Sequence, residues 1–368
     1  MRIAITGTRG VPNRYGGFER FAEKLSSGLA GMGHEVFVYN PHYHSYEDRE
    51  WCGVHIRKKR SLDRFLGAGG SLQYDLYCMR DAFRLEVDII LECGYASAAP
   101  WYPILRGRKA RLITHMDGME WKRAKWNRMQ RSVFRIAERM AVRYSDAIIC
   151  DHPEIAGYYV KNYRVQPGMI PYGAEIRRDR DPALLSALNL EEGTYFLLAA
   201  RLEPENNIRM IMEGYLAAKV PQSLVIVGAT SGKHGKALHR GYAQYPNIRF
   251  IGELYDEVQL DALRHYSRGV FHGHSVGGTN PSLLEAMAAG APIFSHDNVY
   301  NRWVLGGNAL YFGSSGQISE WLNRMDGMKE EREEMIRRNL ERIRRDFQWE
   351  GVILRYLETF EKMLGSKP

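Results

Sequence analysis

The stretch HSVGGTNPSLLEAMAAGAP, at residues 274–292, combines the features of a binding loop with those of a helix start. Its paired glycines allow the backbone to approach a ligand closely, and Thr279 or Asn280 can cap a helix that begins at Pro281. The exposed N–H groups and positive dipole end of such a helix suit a phosphate. The alternative is a loop-to-helix junction that binds no ligand, because good caps are common.

Two charged residues near predicted element ends could contact the rest of such a ligand. Arg201 follows the strand-like run LLAA, and it could clamp a phosphate bidentately or pair with Glu203 or Glu205 at the surface. Glu285 lies one turn inside the predicted helix. There its carboxylate could accept the two vicinal hydroxyls of a ribose, or could simply complement the helix dipole.

The N-terminal part of the chain offers a second candidate site. Gly16 and Gly17 precede a helix predicted to begin near Phe18, and that helix start could receive a charged ligand group. The run HMDGMEWKR ends a predicted strand, so we expect His115 and Asp117 to point into a cleft between domains. A lone histidine and a lone aspartate at such a position are as often structural as functional.

These candidates lie in two successive patterns of alternating strands and helices. The first covers residues 1–172, and the polar, proline-bounded stretch IPYGAEIRRDRDP joins it to the second, which covers residues 173–346. Each pattern predicts a Rossmann-like, doubly wound α/β domain with a parallel sheet. Domains of this kind bind ligands at the carboxyl ends of their strands, and we therefore expect a ligand between the two domains.

The composition is that of an ordinary globular protein, with 45% hydrophobic residues and a mean hydropathy of −0.41. No apolar run approaches the ~20 residues of a membrane span, and the opening MRIAITG predicts a strand rather than a signal peptide. The 4 cysteines are scattered, which predicts reduced thiols rather than disulfides or a metal site. We therefore expect a cytoplasmic protein.

The formal net charge is +8, and its entire excess lies in residues 1–175. Much of it falls in the basic stretch 120–143, which also contains Trp121 and Trp126. Such a stretch could lie on an anionic membrane surface, form a solvated helix face, or attract nucleic acid. Nucleic-acid binding would leave Glu285 behind a glycine loop unexplained, so we expect no nucleic-acid partner.

Taken together, these motifs resemble those of glycosyltransferase family 4. The resemblance covers nearly the whole chain and rests on GGFERFAEKLSSGLAGMGHEV, IPYGAE, ARLEPENNI, LVIVG, NIRFIGELYD, PSLLEAMAAGAP and FQWEGV. It implies the GT-B fold, in which two Rossmann-like domains face each other across a cleft. It also implies that a C-terminal helix over residues 347–364 packs back on the first domain, which holds the acceptor, while the second domain holds a nucleotide-sugar. That nucleotide-sugar is a substrate, and neither a cofactor nor a metal is implied.

The resemblance also implies roles for individual residues. Arg201 would bind the diphosphate and stabilise its charge, Glu285 would hold the nucleoside sugar, and His115 or Asp117 would position the donor sugar or the incoming hydroxyl. The remaining predicted contacts are with the base, at Gly252, Glu253 and Leu254, and with the diphosphate or the donor sugar, at Asn206, Gly277, Gly278, Thr279 and Asn280.

Two positions depart from the family pattern. Gly277 stands where the family has the first of two glutamates separated by seven residues, so backbone N–H groups would have to hold the donor sugar instead. Asn206 stands where the family has a lysine, so one positive charge on the diphosphate is lost. Arg9 or Arg14 of the first-domain loop could replace that charge.

Within the family, the chain is similar to bacterial rhamnosyltransferases of capsule and O-antigen assembly, in which HMDGMEWKRAKW has close parallels. This implies a retaining, metal-independent transfer from dTDP-rhamnose to a polyprenyl-diphosphate-linked saccharide, at the inner face of the plasma membrane. The alternatives are another hexosyltransferase that uses a UDP- or GDP-sugar, a sugar-nucleotide epimerase of the same architecture, or an inactive binding scaffold.

Overall fold

The computed structural model of the protein describes residues 1–14, 16–105, 109–116, 118–122 and 126–365. It divides into two compact units. Unit 1 comprises Met1–Tyr172 together with the segment that begins at Trp349, and unit 2 comprises Gly173–Gln348.

The strands are short, as is usual for α/β sheets. Those of unit 1 are β1 (Arg2–Thr6), β2 (Glu35–Pro41), β3 (Glu50–Trp51), β4 (Val54–Lys59), β5 (Ile89–Cys93), β6 (Arg111–His115), β7 (Ala147–Cys150) and β8 (Gly168–Met169). Those of unit 2 are β9 (Tyr195–Ala199), β10 (Ser223–Val227), β11 (Ile248–Gly252), β12 (Gly269–His272), β13 (Ile293–His296) and β14 (Leu310–Phe312).

Helices connect most of the strands. Unit 1 has α1 (Gly17–Gly31), α2 (Asp63–Leu66), α3 (Ala68–Arg84), α4 (Arg128–Tyr144) and α5 (Pro153–Tyr163). Unit 2 has α6 (Ala183–Ser186), α7 (Ile208–Ala218), α8 (Lys233–Tyr242), α9 (Glu257–His265), α10 (Pro281–Ala288), α11 (Val299–Leu305), α12 (Ser315–Arg324) and α13 (Lys329–Asp346). The next helix, α14 (Trp349–Gly365), belongs to unit 1. Short 3-10 helices cover Ala99–Leu105, Glu120–Lys122, Pro204–Asn206 and Met325–Gly327.

The sheet of unit 1 has the strand order β3-β4-β2-β1-β5-β6-β7-β8. All its pairings are parallel except that between β3 and β4. Because β1 lies between β2 and β5, the chain winds in opposite directions on the two sides of β1. The carboxyl ends of β1 and β5 therefore flank a topological switch point, which is where doubly wound sheets bind ligands.

The sheet of unit 2 is entirely parallel, in the order β11-β10-β9-β12-β13-β14. Its switch point lies between β9 and β12, where Phe196 is aligned with Gly269 and Leu198 with Phe271. These strands read as continuous apolar runs because helices cover both faces of the sheet, and side chains such as Leu197 and Val225 are completely buried.

Helix α14 completes the core of unit 1. Its buried side chains include Tyr356 and Phe360, and the Tyr356 ring lies 5.2 Å from the ring of Phe21 on α1. A Cβ atom at Gly28 of α1 would lie 2.4 Å from Ile353 Cδ1, so this glycine allows the two helices to approach closely.

Candidate functional site

Two segments of unit 2 meet at the switch point between β9 and β12. The first, residues 200–207, follows β9, and the second, residues 273–280, follows β12. Ser275 donates its backbone N–H to the Glu205 carbonyl over 3.0 Å, and Asn207 Nδ2 donates to the Gly273 carbonyl over 2.8 Å. A Cβ atom at Gly273 would lie 2.0 Å from the Asn206 carbonyl oxygen, so only glycine permits this approach.

Asn206 joins the two segments through both ends of its side-chain amide. Its Nδ2 donates to the Arg201 carbonyl over 2.7 Å, and its Oδ1 lies 2.8 Å from His274 Nδ1. Asn206 itself is buried, whereas Arg201 is exposed. Asn206 thus fixes the backbone from which the arginine projects.

The second segment ends in a capped helix start, as the sequence predicts. Asn280 is the N-cap residue of α10, and its Oδ1 accepts a hydrogen bond from the Ser282 N–H at 3.0 Å. Thr279 is buried, while Gly277, with φ +137°, and Gly278 are half-buried. The first N–H groups of a helix have no intrahelical partner. The loop of residues 277–280 before α10, which we call the mouth, is therefore suited to an anion.

Glu285 of α10 forms an ion pair within unit 2. The Nη2 of Arg264, which lies on α9, is 2.6 Å from Glu285 Oε2, and the Arg264 side chain is nearly fully buried. The glutamate therefore compensates the buried charge of Arg264, which would be costly to hold unpaired in a low-dielectric interior. A carboxylate accepts several hydrogen bonds, so this pairing is compatible with binding to hydroxyl groups.

The predicted base-binding residues follow β11, the edge strand on the far side of β10. Gly252 has φ +81°, and its carbonyl accepts the Gly228 N–H over 2.8 Å, which ties this turn to the loop after β10. The Glu253 carboxylate accepts the Tyr255 hydroxyl at 2.8 Å, and Leu254 is half-buried. These residues lie at the carboxyl edge of the same sheet as Arg201.

The glycine loop of unit 1 leads into α1. Gly16 is its N-cap residue in extended conformation, without a side-chain cap, and the helix begins at Gly17. Glu19 lies in the first turn and accepts the backbone N–H of Arg9 at 2.7 Å. The Arg9 guanidinium pairs with Asp63 at 3.1 Å, whereas Arg14 is exposed. Arg9 is thus part of a network inside unit 1.

His115 is the last residue of β6 and is 1% exposed. Its ring stacks on Tyr172 at 5.4 Å and lies 5.3 Å and 5.5 Å from the rings of Phe18 and Phe21. The imidazole therefore packs in an aromatic cluster of unit 1. Asp117, predicted beside it, lies outside the described residues.

Unit 1 also contains a buried acidic pair that the sequence reasoning missed. Burial, opposed in part by Arg9, raises the pKa of Asp75 to about 6. Burial and the nearby Asp75 charge raise the pKa of Glu92 well above its usual value. Glu92 Oε2 accepts the Thr6 hydroxyl at 2.6 Å, at the switch point of this sheet. The available signal was a glutamate inside the apolar run VDIILEC, where a solvated charge has no place.

Three histidines of unit 2 were also missed, although two of them stand out in the run FHGHS. His272 and His274 have ring centroids 6.1 Å apart, and His296 ends β13, which pairs with β12. Burial, assisted by the other two rings, lowers the pKa of His272 to about 3, so this ring stays neutral at physiological pH. Among the described residues, no group of His, Cys, Asp and Glu side chains is arranged to hold a metal ion.

An open depression of about 480 Å³ borders the first of the two segments at Pro204 and Asn207. It is lined by Pro204, Asn207, Ile208, Arg209, Met210, Glu213, His234, Gly313, Ser314 and Ser315. None of the predicted donor-binding residues lines it, and the convergence of the segments after β9 and β12 remains the better candidate.

Comparison with known proteins agrees with this architecture. Residues 15–178 match the model of Glycosyltransferase Family 4. Sucrose-phosphate synthase from Thermosynechococcus elongatus has a similar structure, with a TM-score of 0.83 and 15% identity over 100% of both chains. No curated protein sequence matches the chain significantly.

Two further structures are similar over nearly their whole length. HepE from Anabaena, in complex with UDP and glucose, has a TM-score of 0.75 and 16% identity over 98% of this chain and 99% of its own. α,α-Trehalose-6-phosphate synthase from Burkholderia multivorans has a TM-score of 0.73 and 13% identity over 98% and 96%. The predicted GT-B fold is confirmed, and the family match agrees with the predicted glycosyltransferase class. The closer resemblance to rhamnosyltransferases stays a prediction.

Proposed function

We propose that the protein transfers a sugar from a nucleoside diphosphate to a hydroxyl group of a saccharide acceptor. The observation that carries the proposal is the convergence, at the switch point of unit 2, of the Arg201 segment with the glycine-rich mouth before α10. Arg201, a permanent cation, follows β9, and the N-terminus of α10 follows the neighbouring strand β12. Both features favour the binding of a diphosphate.

In the proposed step, the bond between the sugar C1 and the diphosphate oxygen breaks, and its electron pair stays on that oxygen. The acceptor oxygen forms the new bond to C1, and its proton passes to the departing diphosphate, which is the base generated in the same step. Negative charge grows on the departing diphosphate, where preorganised donors stabilise a transition state most effectively. Arg201 and the N–H groups from Gly277 to Asn280 serve this purpose, while Glu285 holds the ribose hydroxyls.

The donor that we favour is dTDP-rhamnose, on the basis of the sequence resemblance. A deoxy sugar presents fewer hydroxyl groups, which is consistent with glycine at position 277. A UDP-sugar is the second candidate, because the similar HepE was solved with UDP and glucose. An epimerase of the same architecture would convert a nucleotide-sugar without an acceptor and without releasing the nucleoside diphosphate.

A thermal-shift panel of dTDP, UDP, GDP and their sugars tests the proposal. A ligand that binds only the native protein raises the melting temperature, by an amount that grows with its concentration. We expect a clear rise with one nucleotide base and little with the others. Incubation of that nucleotide-sugar with the protein then separates transfer or hydrolysis, which releases the nucleoside diphosphate, from epimerisation, which does not. No shift with any nucleotide would contradict the proposal.

We further propose that the acceptor is linked to a polyprenyl diphosphate and is reached at the inner face of the plasma membrane. Helix α4 of unit 1 supports this, because its exposed face carries Met129, Val133 and Ile136, which are 73%, 56% and 56% exposed. Four arginines of the same helix are exposed as well, namely Arg128, Arg135, Arg139 and Arg143. Apolar side chains between basic ones are typical of helices that lie in an anionic bilayer surface.

The one acidic residue of α4, Glu138, does not lie on the exposed face. Glu138 is completely buried and accepts hydrogen bonds from Trp121 Nε1 and from the hydroxyls of Tyr158 and Tyr163, at 3.0, 2.7 and 2.6 Å. No exposed carboxylate of α4 therefore opposes an anionic lipid. Within the described part of the chain, no helix has the length and apolar character to cross a bilayer.

Charge reversal on α4 is expected to weaken membrane binding. In the double variant Arg139→Glu/Arg143→Glu, affinity for phosphatidylglycerol-containing vesicles should fall at least about tenfold, because each basic side chain near an anionic surface contributes about 1 kcal/mol. Co-sedimentation with vesicles measures this, and binding of the unaltered protein should weaken with salt.

The matched control is Arg240→Glu/Arg344→Glu, which makes the same charge change on exposed residues of unit 2. Equal binding of both double variants would show that net charge, rather than α4, governs association. Equal binding of the unaltered protein to pure phosphatidylcholine vesicles would contradict an anionic surface.

A further inference from the structure

His274 occupies the junction between the two segments that meet at the switch point of unit 2. Its Nδ1 lies 2.8 Å from Asn206 Oδ1. Its carbonyl accepts the side-chain amides of Asn298 and Asn301, each at 3.0 Å. A Cβ atom at Gly277 would lie 3.0 Å from His274 Nε2. The backbone of His274 is therefore fixed by two asparagines and its ring by Asn206, and the Nε2 edge lies against Gly277 of the anion-binding mouth.

The hydrogen bonds of Asn206 determine which ring nitrogen carries hydrogen. Because Asn206 Nδ2 donates to the Arg201 carbonyl, the oxygen of that amide is the atom that faces His274. His274 Nδ1 must then be the donor of this bond. In the neutral imidazole Nε2 is an acceptor, and only the imidazolium can donate from Nε2 toward the mouth.

We propose that His274, as imidazolium, donates from Nε2 to the diphosphate of the sugar donor and supplies the second positive charge of the site beside Arg201. This inference rests on the proposed function. Segments 200–207 and 273–280 contain one arginine and no lysine, whereas a nucleotide-sugar carries a negative charge on each phosphate. A second cation therefore matches the ligand, and His274 is the one histidine of these segments.

In the transfer step, His274 acts on the leaving group. As the C1–O bond breaks, the electron pair that remains on the diphosphate oxygen increases the charge that Nε2–H contacts. A charge-assisted hydrogen bond of this kind strengthens as the charge develops. The glycine at 277 is part of this arrangement, because any larger side chain there would crowd the Nε2 edge.

The affinity for the nucleotide-sugar should fall as pH rises. An anion that contacts the imidazolium favours the protonated ring, so affinity is highest at low pH and falls as pH rises through the pKa of His274 in the complex. The ionisable groups on the adjoining elements are His272 on β12, His296 at the end of β13, Arg201 and Glu205 after β9, and Glu285 on α10. Burial lowers the pKa of His272 to about 3 and lowers that of His296, so both rings are neutral above about pH 6.5.

The test measures the affinity for dTDP-rhamnose and UDP-glucose by calorimetry, at about pH 6.5 and about pH 8.5, on either side of neutrality. The diphosphate diesters of these probes do not titrate in this range. We expect affinity of the unaltered protein to fall about tenfold between the two values, the size of one charge-assisted hydrogen bond. His274→Gln, which keeps a neutral amide near the Nε2 position, should bind weakly and independently of pH.

Two further variants separate ligand contact from a structural role. His274→Asn keeps an amide toward Asn206 but removes the group toward Gly277, and it should lose affinity as His274→Gln does. Addition of Asn206→Lys to His274→Gln should restore part of the affinity, because it returns a second cation while losing the bond to the Arg201 carbonyl, and it should not restore the pH dependence. The control, His234→Gln on α8, should behave as the unaltered protein.

The outcomes are distinguishable. A pH-independent affinity in the unaltered protein, or normal binding and normal pH dependence in His274→Gln, would overturn the assignment of His274 and leave the proposed function intact. Failure of the unaltered protein to bind either probe at both pH values, together with no response to the nucleotide panel, would overturn the proposed function as well.

Discussion

Replacement of Arg201 by alanine is expected to lower kcat for sugar transfer by about 100- to 1,000-fold. The guanidinium is the one permanent cation in the segments that follow β9 and β12, and negative charge develops on the leaving diphosphate. Loss of one preorganised donor to a developing anion costs about 3–4 kcal/mol of transition-state stabilisation. Because the arginine is exposed, the substitution should leave the stability of the fold nearly unchanged.

The measurement is the initial rate of nucleoside diphosphate release at saturating concentrations of the nucleotide-sugar that the thermal-shift panel selects. Arg209→Ala is the control, because Arg209 is exposed on α7 of the same unit but lies outside the two converging segments. Arg201→Lys should recover part of the activity, since lysine restores the charge but not the bidentate geometry. Full turnover in Arg201→Ala would refute the assignment.

Gly273→Ala is expected to reduce transfer about 100-fold, although residue 273 presents no side chain to a ligand. Its added Cβ atom would lie 2.0 Å from the Asn206 carbonyl oxygen, which is a backbone atom and has no rotamer by which to escape. The segments after β9 and β12 must therefore separate by about 1 Å. A displacement of this size lowers a reaction rate about 100-fold when it misplaces the reacting groups. Overpacking of this kind also destabilises a fold by about 1–3 kcal/mol.

Urea unfolding and the transfer assay together separate the two effects. Gly241→Ala is the matched control, because a Cβ atom there meets nothing within 4 Å and the residue is exposed on α8. That control should keep full activity and gain up to about 1 kcal/mol of stability. Activity of Gly273→Ala equal to that of the control would show that contact between the two segments is unnecessary for transfer.

The sequence predicts the elements whose signals are local. The apolar runs of β1, β9 and β10 and the helix starts at α1 and α10 all follow from neighbouring residues. At α10, Asn280 and Pro281 specify the cap and the first turn of the helix, and the structure contains both as predicted. Element type is accessible in this way because apolar periodicity and capping act over one or two turns.

Features that depend on distant pairing could not be predicted. Strand β4, VHIRKK, was missed because polar residues alternate along it, as they do on a strand near a sheet edge, and the short β3 and β8 carry almost no signal. The link from Arg201 through Asn206 to His274 joins residues up to 68 positions apart in sequence. Likewise, the partner of Glu285 became visible only when α9 brought Arg264 beside it.

The position of α14 has a consequence for synthesis of the protein on the ribosome. In the sequence, the first 172 residues of unit 1 precede unit 2, whereas α14, which also belongs to unit 1, follows it. A nascent chain that has completed unit 2 still lacks Tyr356 and Phe360, so the apolar face around Phe21 has no cover at that stage. Unit 1, whose synthesis begins first, can therefore complete its core only after the whole of unit 2 has been synthesised.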